Sequence, residues 1–241
     1  MAVKEMTSKE RFMRMYAHQE ADRVPIIDSP WQGTLLRWKK EGMPEGVDWC
    51  DFFGVDKIRG IGADISPRYE ARVIEENDEF VISTTGWGVT LKNFKVPDST
   101  PEFLDYKVNT PERWEEAKER MKPSRDRINW EHLKKNYPLW QKEGSWIVAS
   151  FWFGFDVLHS WMAGFETVMF AMLENPDWFK DMVNTYLECS IAAFEMIWAE
   201  GYRFDCISWP DDMGYKGATF FSNEMYRELL QPCHKRAIDW A

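Results

Sequence analysis

Four short apolar runs, at residues 24–27, 57–63, 146–152 and 204–209, alternate with stretches of helical periodicity, and this alternation constrains the fold most. Strands separated by helices predict βαβ units and a parallel sheet. The last run, Phe204-Asp205-Cys206-Ile207-Ser208-Trp209, shows the unit most plainly. Pro210 stops it, the adjacent acids Asp211 and Asp212 follow, and Ser222 then caps a helix with Glu224 in its first turn. In parallel α/β folds the loops at the carboxyl ends of strands carry the chemistry, which makes Asp211 and Asp212 candidate catalytic residues. Asp is equally common in such turns as a cap for backbone N–H groups, and both roles stay open.

A chain of 241 residues allows one large domain or two small ones. The net charge of −10, from 30 basic and 40 acidic residues, argues against nucleic acid and against an anionic membrane surface as partners. Cys50, Cys189, Cys206 and Cys233 show no paired spacing, so neither a zinc knuckle nor a disulfide framework is expected. Residues 1–10 are polar and no apolar run approaches about 18 residues, which predicts a soluble, cytoplasmic protein. Fourteen Trp is a rich supply, and Trp and Phe cluster in 146–165. Such rings line pockets for flat or apolar ligands, although buried core is their commoner use.

Taken in order, Thr7-Ser8-Lys9-Glu10 is a capping box that opens a helix. Val24-Pro25-Ile26-Ile27 reads as a first strand, and Trp31 and Gln32 lie in the loop after it. Residues 57–63 read as a second strand ending at Asp64-Ile65-Ser66-Pro67. Between residues 69 and 96 three strand-like runs, punctuated by Asn77-Asp78 and Thr85-Gly86, predict an inserted antiparallel meander. Trp146 to Trp152 reads as a third strand, and Asn175-Pro176-Asp177 opens the longest helix. There is no GxGxxG after a strand and no GxxxxGK[ST], so nucleotide folds lose support.

These residues resemble a known family. Thr7-Ser8-Lys9-Glu10-Arg11-Phe12 with Glu20-Ala21-Asp22-Arg23-Val24-Pro25 looks like the N-terminal signature of the uroporphyrinogen decarboxylase superfamily. Asp205 to Trp209, and Phe221-Ser222-Asn223-Glu224-Met225-Tyr226-Arg227-Glu228-Leu229-Leu230-Gln231-Pro232, are similar to its fourth strand and following helix. Trp87-Gly88-Val89-Thr90 with Ser99-Thr100-Pro101-Glu102-Phe103-Leu104-Asp105 is like its uncharacterised and corrinoid-linked branches. The resemblance implies a (β/α)8 TIM barrel, of which 1–241 would form a single domain carrying about the first four βα units and lacking the C-terminal part. A sheet with two open edges predicts self-association into a homo-oligomer.

Two activities follow from the resemblance: carboxyl removal from a porphyrinogen without a cofactor, and methyl transfer with a corrinoid (methylcobalamin) or a corrinoid protein. Asp64 matches the family aspartate that binds pyrrole N–H groups, a task suited to an acceptor-only carboxylate; a turn cap before Pro67 is the plainer role. The decarboxylases have an Arg-rich loop after the first strand. This chain has Asp28-Ser29-Pro30-Trp31-Gln32-Gly33, with only Arg37 nearby, which favours methyl transfer. The methyltransferases' zinc motif lies beyond this stretch in the family, and adjacent Cys233 and His234 do not supply it. A non-catalytic half-barrel is the remaining alternative. The expected site gathers catalytic Asp64, Asp211 and Asp212 with ligand-binding Trp31, Gln32, Phe151, Trp152 and Trp209, and like charges so placed should raise one carboxyl pKa. Phe155, Asp156 and His159 would form its rim, with His159 on a helix surface.

Overall fold

The computed structural model describes residues 5–95 and 100–241; Val96 and Ser99, where the meander and one resembling segment were read, lie outside them. Helix α1 (Ser8–Tyr16) starts at the capping box, where Glu10 N–H donates to Thr7 Oγ1 at 3.2 Å and Thr7 N–H to Glu10 Oε2 at 2.7 Å. Helices α2 (Gln32–Lys40) and α3 (Trp49–Phe53) precede strand β1 (Ile58–Ile61). Strands β2 (Val73–Glu76), β3 (Phe80–Thr84), β4 (Val89–Phe94) and β5 (Glu102–Tyr106) follow. Thr110 and Pro111 open α4 (Pro111–Arg120), and α5 (Trp130–Glu143) leads to β6 (Trp146–Ser150). A π-helical turn (Val157–Met162), α6 (Phe165–Glu174) and α7 (Pro176–Ala199) come next, α7 capped by Asn175. The chain ends with β7 (Cys206–Ser208), the small hairpin β8 (Gly214–Tyr215) and β9 (Ala218–Thr219), α8 (Asn223–Met225), a second π-helical turn (Tyr226–Leu230) and α9 (Gln231–Trp240).

The strands form a three-stranded parallel sheet, order β1-β6-β7, and a separate four-stranded antiparallel sheet, order β2-β3-β4-β5. The chain is α/β, but this is not the βα repeat of a TIM barrel, and the expected layout of four barrel units is corrected accordingly. The first expected strand, 24–27, does not form. Pro25 has no N–H to donate to a ladder, and the main chain of Ile26 instead pairs with Asp56: Ile26 N–H donates to its carboxylate at 2.9 Å and Asp56 N–H to Ile26 O at 2.8 Å. Val24, Ile26 and Ile27 stay exposed. The antiparallel sheet gains a fourth strand, Glu102–Tyr106, beyond the three read from sequence.

The chain divides into two compact units. The first combines Met1–Ile61, Asn129–Ala149 and Tyr202–Cys206. Its apolar centre is Phe12 stacked on Trp146 at 5.3 Å, with Val148, Ile58 and Cys206 packed around them. Beside it lies a buried ion cluster. Arg11, 2% exposed, donates to Asp56 and Asp22, each at 2.6 Å, and Arg23 donates to the second oxygen of Asp56 at 2.6 Å. The second unit combines Gly62–Ile128, Ser150–Gly201 and Ile207–Ala241. Its core is the long face of α7, including Phe179, Tyr186 and Phe194, together with Val89 and Leu91 of the antiparallel sheet and Trp114 of α4.

Burial works against the Asp56 charge, but the Ile26 N–H and the Arg23 and Arg11 guanidinium groups outweigh it and hold the carboxyl below the usual carboxylate range. A depressed folded-state pKa means that the stabilisation is complete above about pH 4 and is lost as pH falls below it. Asp56→Asn is therefore expected to destabilise the protein by about 3 kcal/mol at pH 7, since it leaves two guanidinium groups without their shared anion. In urea unfolding the gap from wild type should narrow below about pH 4; a gap that stays constant through acid pH would contradict this.

Candidate functional site

Two neighbouring arrangements in the second unit carry the chemistry-bearing side chains. The first is a cleft of about 420 Å³ walled by Trp87, Phe151, Trp152 and Phe194, with Asp64 and Pro210 on its rim. Trp87 meets Trp152 edge-on at 5.2 Å and stacks on Tyr186 at 5.7 Å, while Phe151 stacks on Phe194 at 4.8 Å. These contacts lock the rings with little rotamer freedom left to lose on binding a ligand.

Asp64 is set by its own turn. Its Oδ1 accepts from Ser66 N at 3.0 Å and Ser66 Oγ at 2.6 Å, and its Oδ2 accepts from Arg68 Nε at 2.7 Å. The capping role is thus realised, yet 43% of the side chain remains exposed, so Oδ2 keeps room for a ligand donor. Arg127 fixes the same turn from below, donating to the carbonyls of Asp64 at 2.8 Å and Ser66 at 2.9 Å. Arg68 sits at φ +55, a left-handed conformation unusual for a non-glycine residue, and is held there by Asp64 and Asp126. Burial pushes the Asp64 carboxyl up, but the hydrogen bonds from Ser66 and Arg68 prevail and hold it below the usual range. The expectation of a raised pKa thus fails for Asp64, whose close charged neighbour is a cation.

The second arrangement centres on Asp211. Its Oδ1 accepts from Asp156 N–H at 2.7 Å, and its Oδ2 lies 2.9 Å from His234 Nε2. Both side chains are nearly buried, 5% exposed for Asp211 and 8% for His234. His234 Nδ1 is 3.2 Å from the Tyr226 hydroxyl, and the ring is flanked by Phe153 and Trp209. Gly154, at φ +106, makes room: a Cβ there would stand 2.5 Å from Asp211 Oδ2. Two π-helical turns frame the group, closed by Ala163 N–H donating to Leu158 O at 2.8 Å and by Gln231 N–H donating to Tyr226 O. Such turns are rare and recur at functional sites. Asp156 links the two arrangements, accepting from Trp152 Nε1 at 3.4 Å and Ser160 Oγ at 3.1 Å. His159, 15% exposed and 3.6 Å from Asp156, is mostly buried rather than on a helix surface, and that burial lowers its pKa against the pull of Asp156.

Of the residues picked from sequence, Asp64, Phe151 and Trp152 line the cleft, while Asp211 turns into the adjoining buried cluster with Trp209 against His234. Asp212 is exposed. Trp31 and Gln32 open α2 in the first unit and are not among the cleft residues. Trp87, Tyr226 and His234 were not singled out as site residues, whereas Asp156 was expected on the rim and instead bridges the two arrangements. A larger depression of about 530 Å³ on the antiparallel sheet holds none of the residues picked from sequence and is lined by charged side chains of both signs, including Glu70, Arg72, Asp105 and Lys107. Among the described residues no group of three or more His, Cys, Asp or Glu is placed to hold a metal, and no helix is long and apolar enough to cross a membrane.

Comparison with models of protein families, with curated proteins and with solved structures yields no match. Gly154→Ala is expected to lower stability by about 1–3 kcal/mol, because it forces a left-handed backbone on a side-chain-bearing residue and drives a methyl group into Asp211. Urea denaturation measures this; an unchanged midpoint would mean that the Asp211 cradle is not tight.

Proposed function

We propose that the aromatic cleft beside Asp64 binds a flat or methylated small molecule, and that the chain serves corrinoid-dependent methyl transfer. The observation that carries this reading is the make-up of the cleft: four aromatic walls, one ionised carboxylate, and neither Lys nor Arg among its lining residues. The two guanidinium groups that touch Asp64 are already engaged, Arg68 by Asp64 and Asp126 and Arg127 by main-chain carbonyls. A porphyrinogen with many carboxylates would find no cation there, so decarboxylation of such a substrate is the weaker reading. A methyl-bearing onium group suits the same surroundings, since ring faces and a carboxylate both attract positive charge.

The cleft volume lies at the low end of the range for small-ligand sites. It has room for a small methyl donor, and Trp87 and Trp152 are the residues that would meet a corrinoid through ring contact. The corrinoid, when bound, supplies the centre that carries the methyl group. The chain's own residues orient the donor: Trp87 and Trp152 enclose it, and Asp64 fixes its positive or N–H-bearing end.

Titrating the protein with tetramethylammonium, hydroxocobalamin and uroporphyrin, followed by tryptophan fluorescence, tests this. Tetramethylammonium and hydroxocobalamin should bind, and Trp152→Ala or Asp64→Asn should weaken tetramethylammonium binding about tenfold. Uroporphyrin binding more tightly than either, or affinities unmoved by both substitutions, would overturn it.

A further inference from the structure

We propose that Tyr226, His234 and Asp211 form a proton-transfer relay in which the Tyr226 hydroxyl is the group that exchanges a proton with a ligand. This rests on the buried cluster and not on the cleft reading, so either can fail alone.

The direction of the relay follows from which atoms can donate. Asp211 Oδ1 is occupied by the Asp156 N–H at 2.7 Å. Asp211 Oδ2, 2.9 Å from His234 Nε2, can only accept while the carboxyl is ionised. That places the hydrogen of a neutral His234 on Nε2 and turns the bare Nδ1 towards Tyr226, 3.2 Å away. The phenol then donates to Nδ1. The order of roles is that of a hydroxyl–imidazole–carboxylate triad, with a phenol where an alcohol usually stands.

Three further observations argue that the group is built for a task. Burying an acid and an imidazole costs stability that two apolar side chains would not. Gly154 adopts a left-handed conformation where any Cβ would strike Asp211. Tyr226 opens one π-helical turn and Asp156 directly precedes the other, so both ends of the network sit at rare backbone geometry. Tyr226 as a residue is half-buried.

In the transfer, the Tyr226 O–H bond breaks and its proton passes to His234 Nδ1, where Asp211 stabilises the imidazolium. The phenolate oxygen then takes a proton from an O–H, N–H or acidic C–H of the ligand. The net change moves one proton from ligand to His234 and consumes no co-reactant.

Reaction with an aryl sulfonyl fluoride reads the same activation without a known substrate. The phenol oxygen forms an O–S bond, the S–F bond breaks, fluoride leaves, and the phenol proton goes to His234. Peptide mass spectrometry of the full chain should show Tyr226 modified about tenfold faster, or more, than the exposed Tyr16 and Tyr215 in the same sample. His234→Gln should reduce Tyr226 to their rate, and added imidazole should restore part of the rate in His234→Gly. A purely structural role predicts no such rescue. Should the His234 variants fail to fold, the wild-type comparison decides: Tyr226 modified no faster than Tyr215 overturns the proposal. A folded His234→Gln with undiminished Tyr226 labelling overturns it as well.

Discussion

The placement of one carboxylate, Asp211, orders much of the second unit. A carboxylate that is 5% exposed is tolerated only when its oxygens are occupied, and each of these two has a donor supplied by a different part of the chain. Asp156 N–H comes from the segment that leads out of β6, and His234 from α9. The missing Cβ of Gly154 allows both to approach. Through them Asp211, just past β7, ties that strand's end to the helical segment that follows β6 and to α9. The aromatic cleft adjoins the same junction: Trp152 reaches Asp156, and Phe151 packs against Phe194 and Trp240.

The first unit solves a like problem with the opposite balance. There a buried guanidinium, Arg11, is shared among three acids, Glu5, Asp22 and Asp56, and Asp56 in turn is shared between two guanidinium groups and a backbone N–H. Each charge is met from more than one side, so the loss of any single partner weakens the cluster while the remaining contacts still hold each charge. The same Asp56 holds the 24–27 segment in place without making it a strand.

Local signals in the sequence translated directly into structure. The Thr7–Glu10 capping box, the Asn175-Pro176 helix start and the turns of the antiparallel sheet depend on neighbours within a few residues, and these are readable. The barrel layout depended on how separate apolar runs pair, and there the reading failed. Alternating strands and helices are compatible with several sheet arrangements, and the Val24–Ile27 run, though apolar, carries a proline and finds its partner in a side chain thirty residues away. Strand β5 was hidden by its acidic, mostly exposed surface. At the site, Asp64 and Asp211 stood out because acids follow apolar runs. His234 did not, because beside Cys233 it was rejected as a zinc ligand and read as a core or surface residue, and its partner Asp211 lies 23 positions earlier in the chain. Tyr226 looked like one more residue of a helix; nothing in its neighbourhood announces a π-helical turn.

The orientation of His234 is the point on which the chemistry of the buried cluster turns. A long-range ¹H–¹⁵N correlation spectrum of the imidazole, recorded near pH 8.5 where an ordinary histidine is neutral, measures it directly. The account predicts the Nε2–H tautomer, with Nδ1 showing the shift of a bare nitrogen that accepts a hydrogen bond and moving when Tyr226 is replaced by Phe. An Nδ1–H tautomer, with the hydrogen turned towards Tyr226, would contradict it.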